Sequence, residues 1–152
     1  MTDKSASMFV YVIYIRTTPE ALWHALTDAE FTRSYWFGVS QQCDWTPGAP
    51  WRLVRANGEV ADSGEILECE PGRRAVIKWR NEFRADLREE GHGRCTIVLE
   101  PEGEVVKLTI THEMDLPRSE LIKAVSGGWP RILSNLKSLL ETGSLAFTPT
   151  VI

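Results

Sequence analysis

The sequence is short of cysteine, of clustered positive charge and of long apolar runs, and each shortage closes off a class of protein. Its three cysteines, Cys43, Cys69 and Cys95, are spread over 152 residues. An odd, sparse set is no disulfide framework, and a reducing cytoplasm is the compartment it points to. The 17 Lys and Arg are outnumbered by 21 Asp and Glu, for a formal net charge of -4. No basic run exceeds the pair Arg73-Arg74, so no nucleic-acid partner is expected, because phosphate neutralisation needs clustered Lys and Arg. No stretch reaches the roughly 18 consecutive apolar residues of a membrane-spanning helix, and no membrane insertion is expected. Met1 to Ser7 is polar and lacks the charged and apolar regions of a secretory signal. Repeats, low-complexity tracts and Pro/Gly/Ser linkers are also missing. A single domain over 1–152 is expected, with a core of about 9–143 and tails at 1–7 and 144–152. A chain of this size buries about 70% of its unfolded surface without help from metals or disulfides.

Tryptophan, by contrast, is plentiful: Trp23, Trp36, Trp45, Trp51, Trp79 and Trp129. A large ring with a single N–H donor suits both core corners and cavity walls.

Local patterns give the element order. Phe9 to Arg16 reads FVYVIYIR and is expected as a strand. Thr18 as N-cap, Pro19 at the first helical position and Glu20 at the positive end open a helix. Thr27-x-x-Glu30 has the spacing of a capping box and opens a second, short helix ending near Trp36. From Gln41 to Met114, strands alternate with turns at Thr46-Pro47-Gly48, Asn57-Gly58, Pro71-Gly72 and Pro101-Glu102-Gly103. Gly64 is the expected place for a bulge in the strand Glu59 to Glu70. In Arg74 to Arg80, alternation turns Ile77 and Trp79 inward. In Glu104 to Met114 it turns Val106, Leu108, Ile110, His112 and Met114 inward. Asn81 to Gly93 reads as a long exposed loop whose Phe83 and Leu87 either cap a cavity mouth or cover the sheet edge. After a short helical segment through Val125, Gly127-Gly128 is expected to break the chain. Trp129-Pro130 restarts it, and Trp129, Ile132, Leu133, Leu136, Leu139 and Leu140 form one apolar stripe. The sum is an α+β fold: an antiparallel sheet of about six to seven strands curled around a long C-terminal helix, with two short helices after the first strand.

Catalytic signatures are scarce. There is no Gly-x-Ser-x-Gly elbow and no phosphate-binding glycine loop, and no cofactor is implied. His92-x-x-Cys95 has no second pair at zinc-finger spacing, so no metal site is expected. His112 is the ionisable residue of most interest. On an inward face it either contacts a ligand, as anchor or general base, or is satisfied by a backbone carbonyl or a neighbouring Tyr or Trp. Arg55 takes the inner face if Trp51 and Leu53 do; its partner is then Glu68 or a ligand carboxylate. In the alternative, Arg55 and Glu68 both lie at the sheet rim in water.

Four segments carry a family resemblance. TTPEALWHALTD (Thr17 to Asp28), SYWFG (Ser34 to Gly38), GEILECEPGRRAVIKW (Gly64 to Trp79) and GGWPRILSNLKSLLETG (Gly127 to Gly143) resemble those of the START/Bet v 1-like, or SRPBCC, superfamily. More specifically, they resemble those of proteins related to the C-terminal domain of the activator of Hsp90 ATPase. The resemblance runs from about Val10 to Gly143. It implies the helix-grip fold with a cavity for an apolar or aromatic small molecule. Trp51, Arg55, Ile77, Trp79, Phe83, Leu108, Ile110, His112, Met114, Trp129 and Leu133 are the expected lining. It also implies two alternatives: a chaperone partner, as for the family's namesake, or an enzyme of cyclase or hydrolase type using His112 with Glu68 or Glu113. A monomer and a homodimer are both compatible with the sequence.

Overall fold

A computed structural model describes residues 6–147. The expected tails lie outside that range except for Ala6, Ser7 and the stretch 144–147. The apolar alternation of the first segment gives strand β1 (Ser7–Ile15). Ile15 is fully buried, and Phe9, Tyr11 and Ile13 pack partly against the core, while Met8, Val10, Val12 and Tyr14 are exposed. Two helices follow, α1 (Pro19–Thr27) and α2 (Ala29–Tyr35). Thr18 caps α1 as expected, its hydroxyl accepting from the Ala21 N–H at 3.1 Å. The cap of α2 is Asp28 rather than Thr27: the Asp28 carboxylate accepts from Phe31 N–H at 2.9 Å. Thr27 is still inside α1 and donates to the Trp23 carbonyl at 2.7 Å. A helical hydroxyl bonded one turn back is not free to cap.

The remaining elements are β2 (Ser40–Cys43), β3 (Pro50–Val54), β4 (Val60–Glu70), β5 (Arg74–Asn81), α3 (Ala85–Arg88), β6 (Gly93–Glu102), β7 (Val105–Met114) and α4 (Glu120–Thr142). The seven strands form one antiparallel sheet in the order β1-β7-β6-β5-β4-β3-β2. This is the α+β helix-grip architecture: the sheet's inner face closes on α4, with α1 and α2 at one end. Val106, Leu108, Ile110, His112 and Met114 of β7 are all buried, as alternation requires.

Three local expectations are corrected. The bulges lie at Leu53/Val54 and around Leu67, between Ile66 and Glu68; Gly64 instead stays in register with Trp79. One extra residue reverses the facing of everything beyond it. The segment 81–93 is not simply loop. Asn81 ends β5, a helical turn follows, and Leu87 is buried with Met114, Leu121 and Ile122 in a satellite cluster.

Finally, α4 is one helix of 23 residues, unbroken at Gly127-Gly128 and Pro130. It is about 34 Å long. Glycine permits helical dihedrals at a cost of about 1 kcal/mol each. Both halves of α4 recover that loss by burial, Leu121 and Ile122 in the satellite cluster and Trp129, Leu133 and Leu136 in the main core. Gly143, left-handed at φ 80°, ends the helix.

Candidate functional site

Trp79 occupies the middle of the site because its neighbours give way. Gly64 on β4 and Gly93 on β6 stand directly opposite it on either side. A Cβ on Gly64 would lie 1.6 Å from the Lys78 carbonyl oxygen, and one on Gly93 2.5 Å from that of Glu113. Neither position tolerates a side chain, so β4 passes close to β5 at Gly64 and β6 close to β7 at Gly93. The Trp79 indole is 4.3 Å from Trp51 and 5.9 Å from Trp129, centroid to centroid. Trp129 in turn is 5.2 Å from Trp36. Trp79 and Trp36 each meet Trp129 at an interplanar angle of 64°, the edge-to-face arrangement that aromatic quadrupoles favour.

Each buried indole N–H in this group seeks an acceptor. Trp51 donates to Gln41 Oε1 at 2.8 Å, and Gln41 is itself anchored to the Leu26 carbonyl. Trp129 donates to His112 Nδ1 at 3.3 Å. Trp79 donates to Asp62 Oδ2 at 2.7 Å. These bonds fix the ring orientations, and they assign the His112 proton. With Nδ1 accepting, the neutral ring carries its hydrogen on Nε2. That nitrogen is buried and has no partner among the described residues. Burial pushes the His112 pKa down to about 3, so the ring is neutral at ordinary pH.

Asp62 is the other buried ionisable group, 8% exposed on β4. Both hydrogen bonds that reach it within the described residues fall on Oδ2, from Trp79 and from Asn81 Nδ2 at 3.3 Å. No cation pairs with it among the described residues. Its carboxyl is pushed up to about 6, chiefly by burial and further by the negative charge of Glu82; the two hydrogen bonds pull the other way. Arg80 and Arg88, the nearby cations, are engaged with Glu82 instead.

These groups meet in a cleft of about 190 Å³ between the sheet, α3 and α4. Trp36, Trp79 and Trp129 are its aromatic walls, Leu53, Leu87, Leu121, Val125 and Ile132 its aliphatic ones, and Asp62 and Asn81 its polar groups. Ala124 and Gly128, one turn apart on α4, complete the lining. Their missing bulk opens the cleft: a Cβ on Gly128 would meet nothing within 4 Å. An apolar hollow with one or two convergent polar groups is the usual form of a small-molecule site.

Of the residues expected to line a cavity, Trp79 and Trp129 line this cleft. Ile77, Leu108, Ile110, Leu133 and Trp51 sit fully buried in the main core, and Met114 in the satellite cluster. His112 lies behind Trp79 and Trp129, with its ring 4.8 Å from Trp79. Arg55 and Phe83 are outside. The Leu53/Val54 bulge ends β3 before Arg55, whose guanidinium stacks on the exposed Phe83 ring at 4.2 Å and lies 3.7 Å from Glu59. Glu68, turned outward by the second bulge, pairs with Arg74 at 2.6 Å. Glu113 faces the outer side of the sheet beside Lys78 and Arg94. Neither carboxylate reaches His112, so the dyad expected for an enzyme is not assembled. Asp62 was not anticipated. Its signal was an aspartate within a strand run, a place where Asp is depleted.

The chain matches the family model described as activator of Hsp90 ATPase homolog 1-like protein over residues 16–141. No curated protein sequence matches it. Several solved structures share its fold. A protein from Mesorhizobium loti is 21% identical, with 91% of this chain and 100% of that one covered and a TM-score of 0.76. An HSP90 activator from Plasmodium falciparum is 23% identical, with 88% and 95% covered and a TM-score of 0.71. The Aha1 dimer from Colwellia psychrerythraea is 17% identical, with 90% and 98% covered and a TM-score of 0.71. At such identities the likeness is one of fold.

Proposed function

This chain belongs to the activator of Hsp90 ATPase homolog 1-like family, and we propose that it uses that scaffold to bind a small, mainly apolar or aromatic molecule in the cleft between Trp79, Trp129 and Asp62. The observation that carries this reading is the pairing of an aromatic-walled cleft of about 190 Å³ with a carboxyl group buried in its lining. An apolar cavity of about 150 Å³ takes a benzene-sized guest, so this cleft suits one ring or a branched group of similar bulk. Wider parts of a ligand would extend through the open side. Asp62 is the polar anchor, replacing His112 in that role, because its Oδ1 carries no hydrogen bond among the described residues while His112 is screened by two indoles.

Native mass spectrometry of the purified protein tests the reading. A small molecule is expected to travel with the folded chain, to be released on denaturation, and to be lost from the variant Gly128→Leu, whose side chain fills the cleft. A clean mass, both as purified and after incubation with millimolar indole, would refute it. The chaperone alternative rests on what relatives are called rather than on a residue of this chain.

A further inference from the structure

We propose that the molecule held in this cleft is a compact organic ammonium ion; the inference rests on the reading of the cleft as a small-molecule site. Three observations point the same way. First, Trp36, Trp79 and Trp129 wall the cleft, and both contacts with Trp129 are made at 64°. Indole is the side chain that attracts alkylated ammonium groups most strongly, and three of them share this lining. Second, a carboxyl group stands in the same lining, 8% exposed, with hydrogen bonds on one oxygen only among the described residues. Third, no positive charge answers it among the described residues. The two arginines nearby, Arg80 and Arg88, are bound to Glu82, and the α4 residues lining the cleft, Leu121, Ala124, Val125, Gly128, Trp129 and Ile132, carry no charge.

A carboxylate held in apolar surroundings without a counter-charge is unfavourable. The described residues supply Asp62 with two neutral donors and no cation. An ammonium ligand provides the missing charge and, in the same place, covers its own apolar substituents with indole. A neutral ligand of equal shape gains only the second, and an anion is repelled. The cleft therefore selects by charge as well as by bulk.

Choline and its neutral carbon isostere dimethylbutanol separate these contributions, since they differ only by nitrogen against carbon at the branched centre. Binding to the full chain at pH 7.5 is measured by ligand-observed NMR, with the wild type beside Asp62→Asn. The expected result is that choline binds about tenfold or more tightly than the isostere, a difference of about 1.4 kcal/mol. Asp62→Asn should remove that preference, weakening choline about tenfold. The inference fails if the two probes bind equally well, or if Asp62→Asn leaves choline binding unchanged. In the equal-binding case the small-molecule reading stands without the charge preference. If neither probe binds at millimolar concentration, both readings fall.

Discussion

Asp62 is a residue whose local cost reveals its use. Burial raises its folded-state carboxyl to about 6, from an ordinary value of 3.8. A raised carboxylate pKa means that folding favours the protonated acid. Its stabilising contribution is complete below about pH 4 and is lost as pH climbs through 6. Asp62→Asn keeps an acceptor for the Trp79 N–H but cannot ionise. It should therefore be close to neutral at pH 4 and stabilising at pH 7.5, by on the order of 2–3 kcal/mol. For a domain of this size that is a rise in Tm of several degrees. Thermal unfolding of both proteins at the two pH values checks it. Equal effects at both would show that Asp62 is better solvated than its burial indicates. Gaining stability by removing a group is the usual sign that the group is retained for function.

At the scale of elements, the sequence was most readable where periodicity and turn chemistry act alone. β1, β7, the Asn57-Gly58 hairpin and the Thr18 cap are where local rules put them. It was least readable where distant contacts decide. Two bulges turned Arg55 and Glu68 away from the interior, and nothing within those strands marks the extra residue. Asp62 acquires meaning only through Trp79, 17 residues on, and Trp129 on α4. The helix α4 runs through two glycines and a proline because its two ends are buried in different clusters, a tertiary gain that outweighs local preference. That gives a clean pair of substitutions. A Cβ on either Gly127 or Gly128 meets nothing within 4 Å, so Gly127→Ala and Gly128→Ala should each stabilise by about 1 kcal/mol. Only Gly128 lines the cleft. Gly127→Leu should consequently leave ligand uptake intact while Gly128→Leu abolishes it, with chemical denaturation confirming that both fold. Loss of uptake in both variants would indicate that α4 distorts rather than that the cleft is filled.

Over the whole molecule, Asp62 and His112 shape the response to pH from opposite sides. His112 titrates near 3 when folded, lowered from 6.5 by burial. A lowered histidine pKa gives stability that is complete above 6.5 and is lost as pH falls towards 3, because the unfolded chain takes the proton first. Glu82, Asp86 and Glu141, whose carboxylates are held below their ordinary values by Arg80, Arg84 and, at Glu141, the Arg16 backbone N–H with Lys137, add to the acid limb. Between about pH 4 and 6 the two contributions oppose each other, so stability measured by urea midpoint from pH 3 to pH 8 should rise out of acid and then level off. His112→Phe should unmask the Asp62 contribution, so that its stability falls as pH rises from 4 to 6. A wild-type profile that climbs steadily from pH 4 to 6.5 would contradict the assignment of Asp62. The variant also removes the buried N–H that lacks a partner, which offsets part of the loss of the Trp129 bond.

The pairing of β1 with β7 has a consequence for how the chain is made. Ser7 lies opposite Met114, and Ile15 opposite Val106, so the strand synthesised first waits for the strand synthesised last. At ribosomal rates of about 5–20 residues per second, that interval is roughly 5–20 seconds. Throughout it, an uncharged run from Ser7 to Ile15, with Met8, Val10, Val12 and Tyr14 exposed even in the finished fold, has no partner strand. The nascent chain is at its most vulnerable to misassociation before its own last strand emerges.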